Sequence, residues 1–266
     1  MSCVNEPLGG ASIYKSLCPV VNAKKCNSMV LATRQRMARA TSDTNLKINI
    51  NNEPIPSVDK TKLLGLHIDN NLTWKEQIKH IHNKIASNLY LLKQIKSYLS
   101  INDRKLFYNS YILPHFDYCS TIYGNCAHYL LTDIIKLQKR AARLILDKDY
   151  TTPSSDLFKQ LQWMPLEDRI SYHRCIQVFK CIKGPCPENL QNLFASAKLV
   201  HTHNTRSASN NNLHIAPRHI KSFTHLGATS WNKLPPPVRD ANTLPAFKQY
   251  YARFYQSSRA PPSELY

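Results

Sequence analysis

Residues 62–78, KLLGLHIDNNLTWKEQI, change their hydrophobic period partway along the stretch. Leu63–Ile68 is typical of a strand, and the Asp-Asn-Asn that follows favours a turn. Thr73 and Glu76 then have the spacing of a capping box, in which a hydroxyl and a carboxylate satisfy free amides at a helix start. Gly65 lies inside the expected strand, where glycine is entropically unfavourable, so it indicates either a β-bulge or the close approach of another backbone. The stretch therefore predicts the point at which a β region gives way to helices.

The helical part is expected to begin at Thr73 and to extend to residue 187. Three further helices are predicted after the first one: a helix capped by Ser100 and Asp103 that runs to Pro114, a helix over about 130–146, and a helix from Pro165 to Gly184. The first helix is long and amphipathic, because its apolar residues recur at intervals of three and four; they are Trp74, Ile78, Ile81, Ile85, Leu89, Leu92, Ile95 and Leu99. Helices joined by short loops indicate a bundle over residues 73–187.

The β region is expected over residues 21–72, directly before the helical bundle in the chain. A strand is predicted at 28–32, and alternating apolar residues over about 46–58 predict a hairpin with its turn at Asn51-Asn52. Residues 1–20 show no clear period and are expected to be an unstructured leader.

Residues 188–266 are rich in polar and basic side chains. They indicate a loosely structured basic C-terminal segment with short strands and a terminal helix around 244–254. The predicted fold class is therefore α+β and mostly helical, with a small antiparallel β region followed by a helical bundle and this C-terminal segment.

The charge balance limits the classes of partner. Lys and Arg total 35 against 17 Asp and Glu, which gives a formal net charge of +18. Nucleic acid is the first candidate partner, because Lys and Arg displace counterions from phosphates. An acidic membrane surface is the second, but it usually needs one strongly basic amphipathic helix, and here the charge is spread along the chain. No apolar run reaches the length of a membrane span, and the scattered cysteines form no C-x-x-C pair, so neither a membrane nor a metal is expected.

Two predicted helices carry basic stripes. On the helix over 130–146, cations at i, i+3, i+4 and i+7 follow one face, opposite the apolar side: Lys136, Lys139, Arg140 and Arg143. On the first long helix, the apolar stripe is flanked on one side by Lys75, Lys79, His82 and Lys93, although Glu76 dilutes the positive charge there. A solvated outer face is the ordinary alternative, although such a face usually mixes charges of both signs. We expect these cations to contact the phosphates of a nucleic-acid backbone.

No catalytic centre is evident from the residues themselves. Two-metal nucleotidyl transfer needs carboxylates that converge on Mg²⁺, and the adjacent pair Glu167-Asp168 fits a helix N-terminus better. Neither the phosphate-binding motif of P-loop proteins nor the nucleophile motif of hydrolases occurs. On residues alone, the chain binds a polyanion.

Several stretches together resemble the reverse transcriptases of non-LTR retrotransposons, in the jockey-like part of that family. The resemblance covers about residues 21–255 and depends on the order of the stretches, because each of them is weak alone. They are Asn22–Val30, Leu63–Asp69 with Leu72-Thr73-Trp74, Tyr108–Pro114 with Tyr118-Cys119, Leu137–Arg143, Thr205-Arg206-Ser207, and Trp231–Pro235 through Phe247-Lys248.

The resemblance implies roles for particular residues. Leu64 and Gly65 would lie in the primer grip, the strand pair at the edge of the palm that holds the DNA 3′ end, where a glycine lets the nucleic-acid backbone approach. The helices from Thr73 onward would form the thumb, which packs on the template–primer duplex. Lys25 (or Lys24) would be the basic residue near the phosphates of the incoming nucleotide.

The resemblance also implies a difference in catalysis. The family binds Mg²⁺ through carboxylates of an aromatic-x-Asp-Asp hairpin upstream of the Lys25 stretch, but residues 1–22 contain no Asp and only Glu6 as an acid. We therefore expect a truncated, catalytically inactive fragment with no catalytic residue, metal ligand or cofactor of its own. Its expected partners are an RNA/DNA template–primer duplex and the rest of a retrotransposon polyprotein.

Two other functions stay open at this point. One is a domesticated RNA- or DNA-binding module, and the other is a helical interaction protein whose charge merely keeps it soluble. Both the reverse-transcriptase fragment and the nucleic-acid-binding module should lose nucleic-acid affinity steeply as salt rises, whereas the interaction protein should not bind nucleic acid at low salt. An intracellular location, cytoplasmic or nuclear, is expected because the N-terminus has no apolar signal-peptide core.

Overall fold

A computed structural model describes residues 22, 25–39, 48–50, 53–200, 212–215 and 220–258. The chain divides into two compact units, Met1–Gln77 and Ile78–Tyr266. Two small antiparallel sheets lie in the first unit, and helices follow them. The predicted α+β, mostly helical fold class is confirmed. The finer predicted boundaries at residues 20, 72 and 187 stay predictions.

Two hairpins form the β part of the first unit. Strand β1 (Ile48–Ile50) pairs antiparallel with β2 (Glu53–Ile55), and the predicted turn between them lies outside the described residues. Strand β3 (Lys60–Leu63) pairs antiparallel with β4 (Leu66–Asp69). The predicted hairpin around 46–58 is therefore confirmed in its strand pairing.

The strand predicted at residues 28–32 is wrong. Ser28 makes a single parallel bridge to Ser57, and the chain then enters helix α1 (Arg34–Arg39), which the sequence analysis did not predict. The apolar run Met29–Leu31 was too short to distinguish a strand from an irregular segment.

Gly65 lies in a turn and not inside a strand. Strand β3 ends at Leu63 and β4 begins at Leu66, so Leu64 and Gly65 form a two-residue loop with φ of 47° and 86°. Positive φ at both central residues is typical of a type I′ hairpin turn, whose twist suits the flanking strands. The expectation of one continuous strand over Leu63–Ile68 is wrong, because Gly65 occupies a left-handed position in a turn. A β-bulge, one of the two readings of Gly65, therefore does not apply.

Asp69, at the end of β4, holds the junction between hairpin and helix. Its buried carboxylate accepts hydrogen bonds from the amides of Asn71, Thr73 and Trp74 at 3.0–3.1 Å and from the Thr73 hydroxyl at 3.0 Å. Helix α2 (Lys75–Ile95) begins directly afterwards. The predicted reciprocal capping box of Thr73 and Glu76 is not observed. The Thr73 amide donates to Asp69, and the Glu76 carboxylate pairs with Lys60 of β3.

Helix α2 has the predicted apolar period and is followed by a 3₁₀ turn at Lys96–Tyr98. The predicted helices at 130–146 and from Pro165 to Gly184 are confirmed as α6 and α8. The helices after α2 are α3 (Ile101–Phe107), α4 (Leu113–Asp117), α5 (Ser120–Tyr123), α6 (His128–Leu146), α7 (Ser154–Leu161), α8 (Leu166–Lys183), α9 (Glu188–Gln191), α10 (Ala197–Val200), α11 (Phe223–Asn232), α12 (Pro236–Arg239) and α13 (Leu244–Ser257).

The chain stays helical through Pro114, where the sequence predicted a stop. A π-helical turn at Tyr108–Ile112 leads directly into α4, and Pro114 sits in the first turn of α4, where a missing N–H is tolerated. Asn88 of α2 donates from Nδ2 to Tyr111 O at 2.6 Å, so a side chain satisfies a carbonyl of the π turn. The capping box of Ser100 and Asp103 at the start of α3 is confirmed.

One apolar core joins α8 to the C-terminal helices. Phe247 of α13 packs against two rings, with centroid distances of 4.9 Å to Phe179 of α8 and 5.7 Å to Trp231 of α11. The sequence suggested loose structure after residue 188, whereas residues 220–258 form packed helices, of which α13 is the predicted terminal helix. The buried members of this core are Cys175, Val178, Phe179, Leu213, Ala228, Trp231, Leu234, Val238, Ala241, Phe247 and Tyr251.

Candidate nucleic-acid interface

Helix α6 turns its apolar side to the core and its basic side outward. Lys136 and Arg140 are exposed, and Lys139 and Arg143 are half-buried. The helical spacing places all four on one face, as predicted. The opposite side is buried through Leu131, Ile134, Leu137, Ala141, Ile145 and neighbouring residues.

The basic stripe contains an anion that the sequence reasoning left out. Asp133 lies one turn before Lys136, and its Oδ1 is 3.2 Å from Lys136 Nζ. An exposed pair of this kind contributes at most about 1 kcal/mol, but it partly neutralises that end of the stripe. Among the described residues, no acidic side chain pairs with Lys139 or Arg140. The centre of the stripe therefore keeps its positive charge.

Arg143, at the far end of the stripe, is held by the loop that joins α6 to α7. Its Nη2 donates to Thr152 O at 3.3 Å, and its Cζ lies 5.0 Å from the centroid of the Tyr150 ring. Its Nε is buried without a partner in the described part of the chain. The guanidinium thus lies over an aromatic face, on the same side of α6 as Arg140.

Lys75 and Lys79 lie one turn apart at the start of α2 and are both exposed. Glu76 lies between them in sequence, but its Oε1 accepts from Lys60 Nζ at 2.6 Å. The hydrogen bond to Glu76 raises the pKa of Lys60 above its ordinary value. Because Lys60 compensates the only anion of this group, the four side chains together keep two positive charges.

The predicted grip residues form the tip of the β3–β4 hairpin. Leu63 and Leu64 are 59% and 86% exposed. A left-handed backbone at a non-glycine residue such as Leu64 is unfavourable by about 1–2 kcal/mol, and Asn, Asp or Gly ordinarily occupy this turn position. Turn preference therefore does not explain the leucine, which makes an exposed apolar tip a candidate contact.

Lys25 lies in a short turn in which its amide donates to Asn22 O at 3.0 Å, and its side chain is exposed. Lys24, the alternative for the same role, lies outside the described residues. The structure thus places Leu64 and Gly65 together at the hairpin tip, Lys75 and Lys79 one turn apart on α2, and the four cations together on α6.

A serine, a histidine and an aspartate meet at a cavity of about 430 Å³ in the second unit. Ser120 Oγ lies 3.2 Å from His173 Nδ1, and His173 Nε2 lies 3.9 Å from Asp117 Oδ1. Asp117 already accepts two hydrogen bonds from Arg169 at 2.5 and 2.6 Å, and Ser120 is only 2% exposed. Because Ser120 is almost fully buried and the Asp117 carboxylate is paired with Arg169, we interpret this group as a structural network.

The adjacent carboxylates Glu167 and Asp168 lie in the first turn of α8. Tyr255 of α13 donates its hydroxyl to Asp168 Oδ2 at 2.7 Å, which links two helices of the shared core. Within the described ranges, no three or more His, Cys, Asp or Glu side chains are grouped to hold a metal ion. Each helix among the described residues is too short or too polar to span a lipid bilayer.

Comparison with curated proteins finds a polymerase. Over 156 residues, 58% of this chain, the sequence is 23% identical to a probable RNA-directed DNA polymerase from the transposon X-element of Drosophila melanogaster. The matched part spans 16% of the length of that polymerase. No family model matches the sequence, and no solved structure matches it significantly. The similarity supports a distant relationship of this chain to the reverse transcriptases of transposons.

Proposed function

We propose that this chain binds an RNA/DNA template–primer duplex as the palm-edge and thumb part of a jockey-like reverse transcriptase. The observation that carries the proposal is the centre of the α6 stripe, where Lys139 and Arg140 have no acidic partner among the described residues. The distant similarity to a transposon polymerase supports the polymerase context. The net charge of +18 supports a polyanionic ligand.

The dimensions of the stripe suit a nucleic-acid backbone. From Lys136 to Arg143 the helix rises about 10 Å, at 1.5 Å per residue. One strand of a duplex carries a phosphate about every 3.4 Å along the axis, so a stripe of this length can face about three phosphates. The planar guanidinium of Arg140 can donate two parallel hydrogen bonds to one phosphate, whereas Lys139 acts as a point charge.

In this proposal, the other predicted residues make additional contacts with the nucleic acid. Lys75 and Lys79 would contact phosphates from the start of α2, and Lys25 would lie near the phosphates of a nucleotide. Leu64 and Gly65 would contact the primer end from the hairpin tip. What supports these roles is the exposure of all these side chains and their match to the resemblance.

The proposal is one of binding without polymerisation by the 266-residue chain. Nucleotidyl transfer needs carboxylates that converge on metal ions, and residues 1–22 hold no aspartate ahead of Lys25. The test is a primed RNA template with the purified chain and Mg²⁺ or Mn²⁺, together with a binding assay on the same template. We expect salt-sensitive binding and no extension of the primer. Template-directed extension would contradict this part of the proposal.

Neutralising the centre of the stripe is expected to weaken duplex binding. In the double variant Lys139→Gln with Arg140→Gln, each lost phosphate contact lowers the magnitude of the salt slope by about 0.7–0.9. Fluorescence anisotropy of a labelled template–primer duplex, titrated at several KCl concentrations, measures this slope. The melting temperature should change little, because Arg140 is exposed and the half-buried Lys139 makes no ion pair among the described residues.

A matched control for this variant is Lys233→Gln with Lys248→Gln. It removes the same charge from the exposed Lys233, which follows α11, and from the exposed Lys248 of α13. Lys136→Gln alone should change the slope least among the stripe variants, since Asp133 already compensates its charge. Equal slopes for the stripe variant and the C-terminal variant would make the stripe an ordinary solvated face.

Replacing Leu64 with asparagine separates stability from binding at the hairpin tip. Asparagine tolerates the left-handed conformation that Leu64 adopts at φ 47°, so the variant should be more stable by roughly 0.5–1 kcal/mol. If Leu64 contacts the primer end, affinity for a primed duplex should nevertheless fall several-fold. Thermal unfolding and anisotropy with primed and unprimed templates measure the two effects.

The control for the tip is Leu106→Asn, since Leu106 is a leucine of α3 that is 64% exposed. It removes a comparable exposed apolar side chain away from the hairpin. A Leu64→Asn variant that is more stable and binds the primed duplex as tightly as the original chain would remove the functional reason for a leucine at this turn.

A further inference from the structure

The loop between α6 and α7 presents an aromatic ring to solvent. Tyr150 is 88% exposed, and the Arg143 guanidinium lies over its ring at 5.0 Å. Thr152 holds this arrangement from both ends, because its carbonyl accepts from Arg143 and its amide donates to Asp149 O at 3.2 Å. The ring is therefore positioned on one face by a cation and left open on the other.

The surroundings of this ring are basic. Arg140 and Arg143 precede it on the exposed face of α6, and Lys148 lies in the loop itself. The loop also contains two aspartates, but Asp147 is engaged by Lys96 and Arg104. Among these described residues around the ring, Asp149 is therefore the one remaining negative charge, compared with the three positive charges of Arg140, Arg143 and Lys148.

An aromatic ring beside cations is the arrangement by which proteins bind unpaired nucleotides. Every base has a π-face that stacks on tyrosine, while neighbouring Lys and Arg side chains follow the phosphates. Inside a duplex each base face is already covered by its neighbours, so an unpaired base is the ligand that suits the open face of Tyr150. Packing does not explain the ring, because so exposed a side chain buries little apolar area.

We propose that Tyr150 stacks on an unpaired base of single-stranded nucleic acid whose phosphates lie along Arg140 and Lys148. The inference rests on the proposed function and deepens it, since it names a single strand, such as the unpaired part of a template, as the ligand at this end of the stripe. Arg143 acts as a positioning residue that fixes the ring.

The test compares Tyr150→Ala with Tyr98→Ala on three labelled ligands. Tyr98 is a matched control because it is 87% exposed, and no cation lies over its ring in the described part of the chain. The ligands are a 12-nucleotide oligouridylate, an abasic oligomer of the same length and charge, and a blunt duplex. Oligouridylate serves as the probe because its bases stack weakly on one another.

We expect Tyr150→Ala to weaken oligouridylate binding about tenfold, with an unchanged salt slope because no charge is removed. Tyr150→Phe and Tyr150→Trp should retain the affinity, and the abasic oligomer and the duplex should not distinguish Tyr150→Ala from Tyr98→Ala. Equal losses for the two alanine variants on oligouridylate, with normal duplex binding, would overturn this inference alone. A chain that binds none of the three ligands would overturn the proposed function together with it.

Discussion

Replacing Arg104 with alanine is expected to lower the free energy of unfolding by about 3 kcal/mol, because a buried charged donor network is lost. The Arg104 side chain is 10% exposed. Its Nε donates to Lys96 O and Leu99 O at 3.0 and 3.1 Å. Its Nη1 donates to Ile145 O at 3.1 Å and to the Asp147 carboxylate at 2.5 Å. Ile145 lies in the last turn of α6, where carbonyls have no partner within the helix, so the variant removes the side-chain donor from Ile145 O. The Lys96 carbonyl is less affected, because it also accepts from the Leu99 amide at 3.2 Å.

Lysine and a neighbouring residue supply the controls for Arg104. In Arg104→Lys, a single ammonium cannot reach both the backbone carbonyls and the Asp147 carboxylate, as the planar guanidinium does. This variant should therefore recover less than half of the free energy of unfolding that Arg104→Ala loses. Lys105→Ala, next in sequence and half-buried, should change stability by less than about 0.5 kcal/mol. Urea unfolding followed by circular dichroism measures all three variants. If Arg104→Ala unfolds at the same urea concentration as Lys105→Ala, the network does not stabilise the fold.

Most helices could be predicted from the sequence because their apolar periods are long. Helix α6 has 19 residues and α2 has 21, so one misplaced residue does not hide the stripe. The capping box at Ser100 is equally local, since hydroxyl, carboxylate and amides lie within four residues. The stop predicted at Pro114 failed because a π turn before it rearranges the backbone hydrogen bonds, which a local rule for proline does not include.

The turn at the hairpin tip was not predicted, because its residues are not those that usually mark a two-residue turn. Two-residue hairpin loops are normally recognised by Asn-Gly or Asp-Gly, and here the pair is Leu64-Gly65. The flanking segments, read without the turn, look like one strand of six residues. The unusual leucine hid the turn, and the same leucine now marks the tip as a candidate contact.

The candidate interface could be predicted only along the helix. Spacing placed Lys139, Arg140 and Arg143 on one face of α6, but the helix pattern does not show that Tyr150 of the following loop folds back against Arg143. Such a contact depends on loop conformation and not on period. Asp133 could have been found, because its spacing of three residues from Lys136 is an ordinary helical ion-pair spacing.

Asp69 is the second position at which a single change should have a large effect. Asp69→Ala leaves the amides of Asn71, Thr73 and Trp74 without their acceptor and removes what holds Leu72 and Trp74 at φ of 51° and 65°. We expect a loss of about 3 kcal/mol for the first unit. Hydrogen–deuterium exchange of peptides from residues 60–77 measures it locally, and Glu53→Ala, which removes an exposed carboxylate of β2, serves as the control.

The pH dependence of this junction follows from the same hydrogen bonds. Burial acts to raise the pKa of Asp69, but the hydrogen bonds from Thr73, Asn71 and Trp74 outweigh it and hold the pKa below its ordinary value of 3.8. The unfolded chain therefore binds the proton more tightly than the folded one, so the contribution is complete above the unfolded pKa and is lost as pH falls through the folded pKa. Asp69→Asn keeps one acceptor oxygen and has no charge to titrate, so it should be less stable than the original chain at pH 7 and lose less protection on acidification. An Asp69→Asn variant whose exchange at residues 60–77 follows the original chain at every pH would show that the carboxylate charge does not stabilise the junction.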